Sequence, residues 1–441
     1  MNKFFISAAS MVVMTFSSKA QKIDFTEYTL PNGLHVILHQ DGSNPLVAVS
    51  VLYHLGGKNE TLGRSGFAHF FEHLMFEGSY NIGRGEFSKY INDNGGTLNA
   101  YTTSDDTNYL EFLPSNQLRL ALWLESERMM HAKVDQKGID TQREVVKEEK
   151  RLYIDNRPYM TAISKEIPAL LFKKHPYRFP VIGAIEDLNA VAEADYQFFY
   201  KTFYVPNNAT LSIAGDIDLE KTKKWINAYF GPIPKSTQPI PRPNAKEDPI
   251  TQEIYATYED KNAQVPAVVL AYRAPKKTDK DTYVLKIIDN VLSKGESSRI
   301  TRNVINKKQL ASHAGSFLQD LEDYGIFIIY AVANSDSDVT LDDITQAIDE
   351  EIEALKKDSI IQSELEKQIN NLENSLIYAN ASMIGIARTL AKYHVYHGNT
   401  DLINTVLEKY RRITVEDIKQ VANKYLNKTQ RVRLYNLSKK S

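Results

Sequence analysis

Length, a proline-rich divider and a repeated helix–turn–strand unit together predict an α+β protein of two related domains. At 441 residues the chain is too long for one ordinary domain and suits two of about 200. Pro232, Pro234, Pro239, Pro241, Pro243 and Pro249, with polar residues between them, make a stiff extended linker over 232–249. On one side of it Ala190-Val191-Ala192-Glu193-Ala194-Asp195 leads through Phe198 and Tyr200 to a strand at Thr210. On the other, Ile413-Thr414-Val415-Glu416-Asp417 leads through Val421 and Tyr425 to the strand Arg431 to Tyr435. Each is an acid-capped helix, a short turn and a strand. The expected domains are 21–231 and 250–441.

Residues 1–20 have the plan of a signal peptide: Lys3, an apolar run from Phe4 to Phe16, then Ser18-Lys19-Ala20 before Gln21. The chain is expected to be exported, periplasmic or secreted, with its mature start near Gln21. With no cysteine near that cut, a lipid anchor has no attachment point. No later apolar run reaches transmembrane length. Zero cysteines exclude disulfides, thiol catalysis and thiolate metal sites. A formal charge of −2 with both signs interspersed gives no electrostatic reason to expect nucleic acid or an anionic membrane.

The elements follow in order. Asn32-Gly33 is a hairpin turn leading into the alternating His35 to His39, and Leu46 to Leu55 is an apolar strand. A helix from His69 to Glu77 stops at Gly78, and a short one from Glu86 to Asn94 carries Phe87, Tyr90 and Ile91 on one side. Strands are expected at Thr97 to Thr103 and Asn108 to Leu113. Ser115 is the expected cap of a helix to about His131, with Leu118, Leu122 and Met129 inward. A helix from about Asp140 to Ile154, the strand Ala209 to Gly215 and a helix from Leu219 to Phe230 complete the first half. The second opens with strands at Ile254 to Tyr258 and Ala267 to Arg273. Its helices include Asp342 to Lys357 and a long one holding Leu365, Ile369, Leu372 and Leu376.

The chemistry concentrates in His69-Phe70-Phe71-Glu72-His73. On a helix, His69 and His73 stand one turn apart on one face and can close on one zinc ion. Glu72 projects near the same place and can take a proton from a water there. The spacing is the inverted zincin order, H-x-x-E-H. Taken alone, the five residues also fit a helix with two surface histidines and a glutamate. Catalytic zinc needs a third protein ligand, and the helix Thr141 to Lys150 offers Glu144, Glu148 and Glu149; residue type and spacing do not choose among them. Setting Gly295 against Gly78 places Lys286, Asp289 and Asn290 where the first half has His69, Glu72 and His73, so only the first copy carries ligand chemistry. His394 and His397, spaced H-x-x-H without an evident acidic helper, are expected to be exposed near a helix end.

The run Gly66-Phe67-Ala68-His69-Phe70-Phe71-Glu72-His73-Leu74-Met75-Phe76-Glu77-Gly78 resembles the signature of the M16 metallopeptidases, the family of pitrilysin, insulinase and mitochondrial processing peptidase. The resemblance extends through Leu30-Pro31-Asn32-Gly33-Leu34, Asn99-Ala100-Tyr101-Thr102, His175-Pro176-Tyr177 with Gly183, Tyr204-Val205-Pro206-Asn207-Asn208 and Ser297-Ser298-Arg299. It implies two homologous domains, each a mainly antiparallel sheet packed with helices, and half of a clam-shell chamber. It implies one zinc per chain, peptide substrates, and a third ligand about 76 residues past the second histidine, which is Glu149. Glu72 becomes the general base, and the peptide adds as a strand to the sheet edge at Leu98 to Thr103, with Asn99 and the Ala100 backbone as candidate contacts.

Two departures follow from the same resemblance. Seven residues before Glu149 relatives often carry a second glutamate, where this chain has Gln142, an uncharged residue that can still hydrogen-bond a ligand. After Ser-Ser-Arg, active relatives carry an Arg and a Tyr seven residues apart; here those positions are Ile305 and Ser312, with Arg302 and His313 nearby. The expectation is a heterodimer in which a homologous subunit supplies the Arg and Tyr. Processing of one specific peptide precursor, or a non-catalytic role as a structural or binding subunit, remain as alternatives.

Overall fold

Residues 22–335, 339–357 and 360–439 are described by a computed structural model; the expected leader, residues 1–20, lies outside them. Gly33, at φ +90°, turns the chain between β1 (Thr26–Thr29) and β2 (His35–Gln40), which pair antiparallel. They begin a six-stranded sheet that continues through β6 (Ala209–Gly215), β3 (Leu46–Tyr53) and β5 (Thr107–Pro114) to β4 (Thr97–Thr102) at the far edge. The second sheet has five strands in the order β7 (Ile254–Asp260), β11 (Arg431–Ser438), β8 (Ala267–Ala274), β10 (Gly325–Ala333) and β9 (Ala311–Gln319). Each sheet has one parallel pair, β2 with β6 and β7 with β11, and is otherwise antiparallel. Strand for strand, β2-β6-β3-β5-β4 maps onto β7-β11-β8-β10-β9. The two related α/β domains are therefore visible in topology as well as in the repeated sequence unit.

Burial follows the strand pattern. β3 and β6, near the sheet centre, are apolar on both faces and buried almost throughout, as strands covered on both sides must be. One face of each sheet packs on its own helices, around Phe70, Phe71, Leu122 and Ile226 in the first half and Leu285, Ile288, Ile344 and Ile418 in the second. The opposite faces are covered crosswise. The Met383–His397 helix brings Ile386, Ala387 and Leu390 onto Ile37, Ala48 and Ala214 of the first sheet. In return, Ile167, Leu171 and Phe172 cover Val269, Ala271 and Ile328 of the second. The proline-rich segment 232–249 has no regular secondary structure and lies against the first half, with Arg242 donating to Asn208 Oδ1 at 2.6 Å.

Several boundaries differ from expectation, and three of the helix ends have a clear physical reason. The motif helix spans Phe67–Leu74 and stops three residues before Glu77, because its last bonds tighten to Phe76 N–H on the His73 carbonyl at 3.1 Å and Glu77 N–H on the Leu74 carbonyl at 3.0 Å; just beyond, the Met75 carbonyl accepts from Arg128 Nη1 at 2.8 Å. Ser115 does not cap the next helix: its hydroxyl donates to Asp216 at 2.8 Å, and a short 3₁₀ turn precedes the helix Leu118–His131. The helix expected from Asp140 starts at Gln136, because Asp135 caps it by accepting from the Gly138 N–H at 2.8 Å, and it runs to Lys150 before a π-turn to Asp155.

Candidate metal centre

The Phe67–Leu74 helix is held at both ends by side chains from outside it. Its first turn has no side-chain cap of its own, and the buried Glu60 carboxylate supplies one: Oε2 accepts from Gly66 N and Oε1 from Ala68 N, each at 2.8 Å. A carboxylate at a helix N-terminus also meets the positive end of the dipole. Gly66 adopts φ +83°, and a Cβ there would lie 2.6 Å from Gly183 Cα, so the chain passes Gly183 only as glycine. At the other end Arg128 is fully buried, pairs with Glu125 at 3.0 Å, and stacks its guanidinium over Phe76, Phe87 and Tyr109. Sequence periodicity could not reveal either support, since Glu60 reaches the helix from a loop just upstream and Arg128 meets it only after tertiary closure.

Held this way, the helix points His69 and His73 at the Gln136–Lys150 helix. Their Nε2 atoms stand 3.6 and 3.2 Å from Glu149 Oε2, and one ligand atom from each of the three residues lies within 4.8 Å of the others. Two ligands at 2.0–2.1 Å from a tetrahedral zinc ion are about 3.3 Å apart. The donor set and its spacing therefore fit zinc. Glu144 and Glu148 turn away to pair with Lys147 and Arg151 at the surface. Burial, together with the adjacent His73, pushes His69 down to about 4 against the pull of Glu149. Burial opposes a charged His73, but its hydrogen bond to Glu149 and the nearby carboxylates outweigh this and raise its pKa. The same hydrogen bond lowers Glu149.

Gln142 lies between the ligands and a carboxylate that the sequence reading missed. Its side chain helps to raise the His73 pKa, and its Nε2 donates to Glu77 Oε1 at 2.6 Å; Arg84 pairs with the other Glu77 oxygen. The negative charge absent at position 142 is thus supplied by the buried Glu77 just past the motif helix. His69 Nδ1 is buried without a hydrogen-bond partner among the described residues, so that ring is oriented by helix packing alone.

Glu72 faces the sheet edge. Thr102 Oγ1, at the end of β4, donates to Glu72 Oε2 at 2.6 Å. Burial raises the Glu72 carboxyl pKa, against this hydrogen bond and the neighbouring His73. Among the described residues β4 pairs only with β5, leaving its other side without a strand neighbour. On β4, Asn99 is exposed and its Oδ1 accepts from the Ala100 N–H at 2.9 Å. The second-half positions are not drawn to this centre by any hydrogen bond among the described residues. Ser312 Oγ donates to the Ala333 carbonyl at 3.1 Å, His313 lies 3.4 Å from the Tyr330 hydroxyl, and Arg302 donates to Asn303 at 3.4 Å.

Residues 35–184 match the insulinase family, peptidase family M16, and residues 193–372 match the peptidase M16 inactive domain. The chain belongs to peptidase family M16. This M16 chain is 30% identical over 429 residues to the zinc protease PqqE of Helicobacter pylori, with 96% of this chain and 94% of that protein covered. It superposes on a protease from Helicobacter pylori with a TM-score of 0.89 at 28% identity, covering 94% of this chain and all (100%) of the other. A peptidase M16 inactive domain from Pseudomonas fluorescens shares the fold, at TM-score 0.83 and 17% identity, with 95% of this chain and 98% of that one covered. The M16 helices and sheets thus account for nearly the whole chain. No helix among the described residues is long and apolar enough to cross a membrane.

Proposed function

We propose that this chain is an exported zinc-dependent metalloendopeptidase that hydrolyses oligopeptides or unfolded segments inside a closed chamber. The observation that carries the reading is the convergence of His69, His73 and Glu149 at zinc-like separations, with Glu72 buried beside them. The name of the Helicobacter pylori relative, a zinc protease, supports the same class. The leader-like residues 1–20 support export to the periplasm or medium.

His69, His73 and Glu149 would hold one ion, which when bound lowers the pKa of a water and polarises a peptide carbonyl. Glu72 keeps Oε2 on the Thr102 hydroxyl, which leaves Oε1 to accept the proton of the attacking water. The same oxygen then returns that proton to the departing amide nitrogen as the C–N bond breaks. Gln142 and Glu77 hold the His73 ring in its ligating orientation. The substrate would add along the open side of β4; the Ala100 N–H becomes available to it when Asn99 rotates away and offers its amide to the peptide.

The positions of Ile305 and Ser312 lack the groups that grip a substrate carbonyl, which supports a heterodimer with a homologous subunit supplying Arg and Tyr. The test is to purify the chain alone and with such a subunit, then measure cleavage of a peptide library before and after chelation and zinc return. The expected result is chelator-sensitive cleavage, restored by zinc, that needs the partner. Full activity from the chain alone contradicts the partner requirement, and cleavage indifferent to chelation contradicts the zinc reading.

A further inference from the structure

A second cluster of metal-binding side chains lies where the two halves meet, at the β1–β2 edge of the first sheet. Glu27 stands on β1 and His35 on β2, while the Met383–His397 helix of the second half brings His394 over them. The histidine expected to be exposed is instead half-buried, its ring stacked on that of His35 with centroids 3.4 Å apart and planes 3° from parallel. One ligand atom from each of Glu27, His35 and His394 lies within 4.8 Å of the others. We propose that these three residues form a second binding site for a divalent transition-metal ion, zinc or one of similar preference, which pins the N-terminal strand pair to the second half.

The groups behind the ligands support this as much as the ligands do. His35 Nδ1 is 3.1 Å from Thr29 Oγ1 and its Nε2 is 3.1 Å from Glu27 Oε2; without an ion Nε2–H donates to the carboxylate, and with one bound the ring proton sits on Nδ1 and donates to the Thr29 hydroxyl. The buried Thr400 donates to the same Glu27 oxygen at 2.6 Å and orients the carboxylate from the second half. Outer hydrogen bonds of this kind set the tautomer and angle of metal-ligating histidines and carboxylates. Two imidazoles and a carboxylate suit zinc and its neighbours rather than magnesium or calcium. Glu27 is exposed, which leaves an entry path and a position for water. Closing on an ion requires the parallel rings to splay so that their lone pairs converge.

The test is metal stoichiometry by mass spectrometry on the full mature chain, equilibrated with zinc and freed of excess. The parent is expected to hold two equivalents, His69→Ala/His73→Ala one, and Glu27→Gln/His394→Gln one. In the His69→Ala/His73→Ala background, zinc should raise the melting temperature, and adding His394→Gln should abolish that rise. A parent with one equivalent that disappears in His69→Ala/His73→Ala and is unchanged by Glu27→Gln/His394→Gln overturns the inference while leaving the proposed peptidase centre standing. Zinc retained only through Glu27 and His394 would do the reverse.

Discussion

The Phe67–Leu74 helix and the Lys280–Ser293 helix occupy equivalent places in the two halves, each between strands that correspond in the sheet orders. Each sends a carboxylate to a hydroxyl on the edge strand: Glu72 to Thr102 at 2.6 Å, and Asp289 to Ser316 at 2.5 Å. Burial raises the pKa of both carboxyls. The carboxylate–hydroxyl contact therefore belongs to the duplicated fold and is not by itself a sign of catalysis. The halves part at the neighbouring positions. The first has two imidazoles and receives Glu149 from another helix; the second has Lys286, bound to Asp320 at 2.6 Å, and Asn290. The proposed metal centre on one side corresponds to an ion pair on the other.

The comparison is broken hardest through the supports of the first helix. Arg128→Met should cost about 3–5 kcal/mol of stability by urea unfolding, because it strands the buried Glu125 charge and frees the Met75 carbonyl. Lys286→Met should cost about 2 kcal/mol, between the values for exposed and fully buried pairs, and leave peptide cleavage unchanged. Thr102→Val should slow turnover about tenfold by removing one hydrogen bond to Glu72, the proposed general base, whereas Ser316→Ala should not change turnover. If both substitutions slow it equally, the two contacts are not functionally distinct.

The smallest effect concerns the seam between the halves. Glu322, on the β9–β10 connection, accepts from His54 Nε2 at 2.6 Å and from the buried Lys58 of the first half. Burial works to raise its pKa, but these partners outweigh it and bring it down to about 2. A carboxyl depressed in the folded state contributes its stability above its ordinary value of 4.5 and loses it as pH falls towards 2. The gap in urea midpoint between the parent and Glu322→Gln should be full at neutral pH and narrow below about pH 4.5.

The strands and most helices were legible because periodicity and turn residues are local. His69, Glu72 and His73 were legible from spacing, but Glu149 was not separable from Glu144 and Glu148 without the family resemblance, since one charged helix carries all three. Folding separates them by giving Glu144 and Glu148 lysine and arginine partners at the surface. Glu60, Glu77, Arg128 and Thr102 had no local signal: each acts on a residue of another element. The crosswise covering of the sheets was hidden for the same reason, since the apolar stripe of Met383–His397 does not say which sheet it meets.

The most direct test of the division between the halves is Glu72→Gln, assayed for zinc content and peptide turnover under the conditions in which the parent is active. The account predicts that zinc bound through His69, His73 and Glu149 is retained while turnover falls by about 10²–10⁴-fold. Turnover that survives the substitution with zinc in place would contradict it.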